Sequence, residues 1–259
     1  MFRLDGKTAF ISAARGHLGQ AMTRALGKAG AHVIVNGRDV MALSRFAEML
    51  RSEGISAEAA AFDVLDLDGL RGFFTARFSA GARLDILVNN AVAMTVKPFT
   101  ALAPEDFART YQSSVIAAFE SCRAALPALK EAVRAGGDAS VINIASMYGA
   151  VAPDARLYAA PEQQSPFHYG PAKAGLLQLT RHLAAEFGPL GVRVNALTPG
   201  PFPAAIADAA FAARLAAKTM LGRLGTPEEI GGPLLFLASP AARYVTGAAI
   251  AVDGGWTAW

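Results

Sequence analysis

The sequence holds one cysteine, Cys122, so an intrachain disulfide is excluded. Cys122 lies in a helix-period stretch beside Arg123 and Ala124, which reads as core rather than nucleophile. The four histidines, His17, His32, His168 and His182, show no metal-ligand spacing, and no metal is expected. No Lys/Arg run stands out and the formal charge is only +3, which argues against a nucleic-acid partner. No uncharged run reaches the ~18 residues of a membrane span. The N-terminus lacks a long apolar segment followed by a small-residue cleavage site. Neither a membrane nor a signal peptide is therefore expected, and the cytoplasm is the expected location. Charged residues make up 17% against 53% hydrophobic, which speaks against long disordered segments.

What is present is alternation. Short apolar runs at 8–12, 32–36, 59–62, 85–88, 141–145, 193–197 and 249–252 read as strands. Helix-period stretches at 17–29, 40–53, 67–79, 104–135, 170–187 and 227–238 lie between them. Alternation of this kind predicts an α/β fold: a Rossmann-like, doubly wound sheet of about seven parallel strands with helices on both faces. Pro104 with Glu105 and Asp106, and Thr226 with Pro227, Glu228 and Glu229, read as helix starts. No internal repeat or linker interrupts the 259 residues, so one domain over 1–259 is expected.

Ser12, Ala13, Ala14, Arg15, Gly16, His17, Leu18 and Gly19 join the first strand to the first helix. A helix N-terminus with bare N–H groups binds anions, and glycines let a pyrophosphate approach. Ala13, Gly16 and Gly19 stand three apart, a departure from G-x-G-x-x-G, with Ala13 where a glycine is usual. The second strand ends Asn36, Gly37, Arg38, Asp39. An NAD site places a carboxylate here, about 20 residues on from the glycine turn. Gly37 takes that place, and Arg38, with Arg15, offers a guanidinium to a 2′-phosphate. NADP(H) is favoured; NAD(H) stays possible, because a one-residue shift makes Asp39 the ribose ligand.

Tyr169 and Lys173 stand four apart at the start of a helix and so share a face. A cation beside a phenol favours the phenolate and moves its pKa toward working pH. Ser146 ends the fifth strand, at the carboxyl edge where ligands bind in such sheets, and its hydroxyl can hold a substrate oxygen beside that phenol.

Taken together the motifs identify a resemblance across nearly the whole chain to the short-chain dehydrogenase/reductase family. It is carried by the glycine turn at 12–19, Asp63 and Val64, Asn89, Asn90 and Ala91, Ser146, Tyr169 with Lys173, the run 192–195, Pro199 with Gly200, and the ending 252–255. The resemblance implies a hydride transfer between a nicotinamide and a carbonyl or secondary alcohol of a small molecule. It makes Tyr169 the general acid/base, with Lys173 lowering its pKa and holding the nicotinamide ribose, and Ser146 polarising the carbonyl. It places Asp63 and Val64 at the adenine and Asn89, Asn90 and Ala91 along the cofactor. Pro199, Gly200 and Phe202 go to the nicotinamide side, and the C-terminus to a subunit interface in a homotetramer. Trp256 and Trp259 can alternatively fold back on their own subunit.

Three positions depart from the family: Ala13, Val92 after the Asn-Asn-Ala run, and Ser114. Ser114 stands where the family's fourth catalytic residue is asparagine, which puts the proton relay in doubt. The gap from Ser146 to Tyr169 is longer than is common. The extra segment 151–165 offers Asp154, Arg156, Tyr158, Glu162 and Gln163 to a hydroxylated substrate such as a sugar acid. It and the 36–39 segment resemble gluconate-dehydrogenase-like members. The stretch 201–221 is the expected lid, with Phe202, Ile206, Phe211 and Leu215 closing on the substrate. Other readings are an NAD-dependent polyol or sugar-acid dehydrogenase, a catalytically weak nucleotide-binding protein, and a sugar-nucleotide epimerase. The lack of a separate substrate domain speaks against the last.

Overall fold

The computed structural model describes residues 2–79, 81–160, 164–204 and 208–259. Glu162, Gln163 and Ile206 lie outside the described residues. Seven parallel strands form one sheet in the order β3-β2-β1-β4-β5-β6-β7. They are β1 Thr8–Ile11, β2 His32–Gly37, β3 Ala57–Ala61, β4 Ile86–Asn89, β5 Ala139–Ile144, β6 Val192–Pro199 and β7 Ala249–Val252. The helices are α1 His17–Lys28, α2 Val40–Ser52, α3 Leu67–Arg77, α4 Pro104–Tyr111, α5 Ala117–Arg134, α6 Tyr169–Phe187, α7 Ala209–Lys218 and α8 Gly231–Ala238.

Period-two alternation explains how one sheet feeds two cores. Ala9, Ile11, Val33, Val35, Ile86 and Val88 face α1, α2 and α8, where Met22, Leu26, Phe46, Leu50 and Leu237 complete a buried cluster. Phe10, Ile34 and Leu87 face the other way, onto Leu70 and Phe74 of α3, Leu129 of α5 and Phe187 of α6. Cys122 is in this second cluster, and burial pushes its thiol up to about 12, so it is inert.

The expected helix over 104–135 is helical throughout, but not α-helical throughout. A π turn at Gln112–Ile116 separates α4 from α5 and carries Ser114. α7 falls inside the expected lid, where no helix is predicted; its run of alanines gives a strong propensity. The predicted starts hold. The Asp106 carboxylate accepts from Ala103 N–H (3.0 Å) and the Glu229 carboxylate from Thr226 N–H (2.9 Å), so each N3 side chain satisfies the N-cap donor.

The order of strands reverses between β1 and β4, and the glycine turn leaves β1 at that point. Gly19 lets α1 begin against this turn: a Cβ there would stand 2.5 Å from the Ala13 carbonyl oxygen. Ala13 itself has φ 49°, the one positive φ among the described non-glycine residues. A methyl in the left-handed region costs roughly 1–2 kcal/mol. We expect Ala13→Gly to raise stability by about 1 kcal/mol, the gain being reduced by the freer unfolded chain. Denaturant melts would check this, and a lower midpoint with an unchanged slope would contradict it.

Candidate active site

The glycine turn and the run after β4 are laced together. Ser12 Oγ accepts from the N–H of Asn90 (2.9 Å) and of Ala91 (3.1 Å). The Asn90 amide donates to the carbonyls of Ser12 (3.1 Å) and Ala13 (3.2 Å). Asn89 donates to Asn143 Oδ1 (2.8 Å), and Asn143 Nδ2 donates to Thr180 Oγ1 (2.9 Å) on α6. Ser12, Asn89 and Asn90 thus direct their polar side-chain atoms to the protein and fix the walls of the crevice.

In front of them runs a cleft of about 1090 Å³, lined by Arg15, Gly16, Arg38, Asp63, Val64 and Ala91 among others. That is the upper end of ligand-pocket sizes, roughly 300–1,000 Å³. α1 starts at Gly16 with no side-chain cap, so its first N–H groups are available to an anion. His17 Nε2 is buried there without a hydrogen-bond partner among the described residues. Ala14 is buried and Leu18 packs on the core. These features fit a dinucleotide lying across the switch point.

Two observations bear on the 2′ end. The Arg38 side chain is 71% exposed at the rim, with the Asp63 carboxylate at 3.9 Å as its one acidic partner among the described residues. Asp63 is also turned locally, accepting from Leu65 N–H (3.0 Å). Asp39 caps α2, its Oδ1 accepting from Ala42 N–H (2.9 Å). An N-capping carboxylate has a structural post already, and the neighbouring guanidinium does not.

Ser146, Tyr169 and Lys173 come together at the carboxyl end of β5. Ser146 stands close enough to the Tyr169 phenol for its hydroxyl to favour the phenolate. Ser146 Oγ also accepts from Tyr148 N–H (3.2 Å). Lys173 Nζ donates to the Ile144 carbonyl (2.7 Å) and lies 5.5 Å from the centre of the Tyr169 ring. Burial lowers the Lys173 ammonium to about 8. Burial also pushes the Tyr169 phenol up, and the nearby Ser146 hydroxyl offsets only part of that. The expected lowering of the phenol by Lys173 is therefore not the dominant effect in the folded chain; desolvation is.

His168, which precedes Tyr169, is fully buried. Its Nδ1 bonds Thr110 Oγ1 (2.9 Å) and its Nε2 bonds the Thr95 carbonyl (3.0 Å). Thr95 lines the large cleft, so the cleft's edge reaches the residue next to Tyr169. Sequence reasoning passes over this histidine because it has no motif; its signal is position alone, one residue before the tyrosine.

Other expected site residues fall elsewhere. The Ser114 hydroxyl is buried with no hydrogen-bond partner among the described residues, beside a cavity of about 10 Å³. It is not bonded to Lys173. Val92 lines the large cleft. Pro199 ends β6, and a Cβ on Gly200 would stand 2.6 Å from Asp253 Cα, so Gly200 serves close packing of the C-terminal segment. Phe202 is turned away from the cleft and lines a separate cavity of about 370 Å³ with Met220, Arg223 and Asp253. Trp256 is 3% exposed, packed with Met147, Leu157 and Leu215 of its own chain. Its burial needs no partner subunit, whereas Trp259 is 69% exposed.

The long segment after Ser146 is tied to α7. The Tyr148 and Tyr158 hydroxyls are 3.0 Å apart. The Tyr158 ring packs on Phe211 at 5.5 Å, and Arg214 Nε donates to the Leu157 carbonyl (2.8 Å). Asp154 pairs with Arg156 (2.7 Å) and approaches Lys218 (3.8 Å). Tyr148 and Arg214 carry no sequence signal of their own.

The family model described as Enoyl-(Acyl carrier protein) reductase matches residues 13–257. L-rhamnose 1-dehydrogenase (NAD(P)(+)) of Azotobacter vinelandii is 34% identical over 97% of each chain. Galactitol 2-dehydrogenase (L-tagatose-forming) of Cereibacter sphaeroides is 36% identical over 100% of this chain and 98% of its own. The structure of a gluconate 5-dehydrogenase from Burkholderia cenocepacia in complex with NADP and tartrate superposes with a TM-score of 0.88. It is 30% identical and covers 100% of this chain and 98% of its own. The chain belongs to the short-chain dehydrogenase/reductase family, NAD(P)-dependent enzymes acting on CH–OH and C=O groups. Among the described residues no helix is long and apolar enough to cross a membrane, and no cluster of metal-ligating side chains occurs.

Proposed function

We propose that the chain is an NADP(H)-dependent oxidoreductase acting on a small polyhydroxylated alcohol or ketone, with 1–259 as one catalytic domain. The observation that carries the reading is the meeting of Ser146, Tyr169 and Lys173 at the carboxyl end of a sheet whose switch point carries a dinucleotide-sized cleft. In reduction, Ser146 and Tyr169 donate hydrogen bonds to the carbonyl oxygen, and the Tyr169 proton passes to it as the C–H bond forms. The Lys173 ammonium lies close enough to favour the phenolate left behind. The nicotinamide, when bound, supplies or accepts the hydride. Arg15, Gly16 and Gly19 hold the phosphate end, Asp63 and Val64 the adenine end, and Arg38 the 2′-phosphate. The names of the relatives, a rhamnose, a galactitol and a gluconate dehydrogenase, support the substrate class. Assembly into a homotetramer is supported by the exposed aromatics Phe107, Tyr111 and Phe119 along α4, the π turn and α5.

The alternative with Asp39 on the ribose of NAD is disfavoured by its capping bond to Ala42. NADPH should be preferred over NADH by at least about tenfold, or roughly 1.4 kcal/mol. Arg38→Ala should erode that preference without lowering turnover on saturating NADH. Equal kcat/KM for both cofactors in the wild-type protein overturns the assignment.

A further inference from the structure

We propose that Tyr148 and Tyr158 form a neutral phenol pair that recognises a substrate hydroxyl on the carbon next to the reacting one. The proposal rests on the polyhydroxylated-substrate reading above and names the residues that would enforce it.

Backbone packing sets the first phenol. Residues Met147–Gly149 form a 3₁₀ turn directly after Ser146. A Cβ at Gly149 would stand 2.9 Å from the Lys173 backbone, and one at Gly170 would stand 2.9 Å from the Tyr148 carbonyl oxygen. The turn is thus pressed onto the first turns of α6, and Tyr148 is held beside Tyr169. The two phenols are near enough that a charge on one disfavours a charge on the other. Burial also keeps Tyr148 neutral.

The second phenol is set by α7. Leu157 is buried with Leu215 and Trp256, its carbonyl accepts from Arg214, and the next residue, Tyr158, leans on Phe211. This delivers the Tyr158 hydroxyl to within 3.0 Å of the Tyr148 hydroxyl. Both side chains are partly exposed rather than sealed in the core.

The chemistry follows from counting donors. Two neutral phenols share one hydrogen between their oxygens, so the pair has one further O–H to donate and lone pairs to accept. A substrate CH–OH also donates once and accepts. A plain alkyl carbon offers nothing to this wall and leaves a desolvated hydroxyl unpaired, which is how hydrogen-bonding sites reject analogues lacking the polar group. The simpler role of a staple for the loop uses the same bond but makes no distinction between substrates.

The test compares two six-carbon alcohols with NADP as oxidant: galactitol, with L-rhamnose and gluconate as further polyhydroxylated probes, and 2-hexanol. In each case hydride leaves the carbinol carbon for the nicotinamide, and the hydroxyl proton goes to Tyr169. Tyr148→Phe and Tyr158→Phe should each lower kcat/KM for the preferred polyhydroxylated probe by about 10-fold or more, mainly through KM. Oxidation of 2-hexanol should change by less than about twofold, which also reports that the variants are folded. The double variant should lose little more than either single one, because the pair acts as a unit. Equal losses on both substrate types indicate a staple and overturn the proposal. Unchanged polyol kinetics in both variants overturn it as well, while leaving the substrate reading intact. A wild-type chain that oxidises none of the polyhydroxylated probes overturns the substrate reading and this proposal with it.

Discussion

Tyr169→Phe lowers turnover by about 10²–10⁴-fold, the range for losing a positioned acid or base, and leaves cofactor affinity within about twofold. The substitution removes one oxygen and keeps the ring. The ring's contact with Lys173 and the backbone of α6 are retained, so the fold has no reason to change. What is lost is the proton donor beside Ser146. Ser146 would still donate to a carbonyl oxygen, but no group there would deliver a proton. Steady-state rates and an NADPH fluorescence titration on the same preparation separate the two effects. A variant retaining a tenth of wild-type turnover would contradict the role given to the phenol.

Lys173→Met should make the protein more stable at pH 7 while removing most of its activity. The ammonium is 2% exposed and burial lowers it from 10.5 to about 8. A lysine with a depressed pKa binds fewer protons folded than unfolded between those two values, so stability rises with pH across that window. Below about 8 the full cost of burying the charge is present, on the order of 3 kcal/mol. Methionine removes that cost and leaves the Ile144 carbonyl short of a donor, an offset of about 1 kcal/mol. The net gain should be about 1–2 kcal/mol, a rise in Tm of roughly 2–8 °C for a chain of this length. Wild-type reduction should in turn fall as pH rises through about 8, because the charge that stabilises the phenolate is lost. A variant that melts below wild type at pH 7 would show that the ammonium's hydrogen bond outweighs its burial.

These two residues show how far the sequence could be read. The Tyr169 and Lys173 spacing, with Ser146 at a strand end, is a local pattern that survives folding unchanged, because both ends sit on rigid elements. The centre of the sheet is legible for the same reason: β4, β5 and β6 are buried on both faces and so stand out as continuous apolar runs. What could not be read is what depends on contacts between distant segments. The Tyr148–Tyr158 pair needs α7 and Trp256 behind it, and both lie far from it along the chain. The backbone strain at Ala13 is invisible in a residue name. Phe202 was expected on the nicotinamide side and lies in a different cavity, because its ring fills the space beside Gly225. The burial that pushes the Tyr169 phenol up is likewise not legible, because a nearby cation can be counted from spacing, whereas desolvation cannot.

The most direct test of the account is to follow the hydride. The measurement uses NADPH carrying deuterium at the transferable C4 position, a polyhydroxylated ketone such as L-tagatose, and mass spectrometry of the product. The account predicts an alcohol one mass unit heavier, formed in step with NADPH consumption by the wild-type chain and nearly absent with Tyr169→Phe. Product with no deuterium, or labelled product formed equally by both proteins, would contradict it.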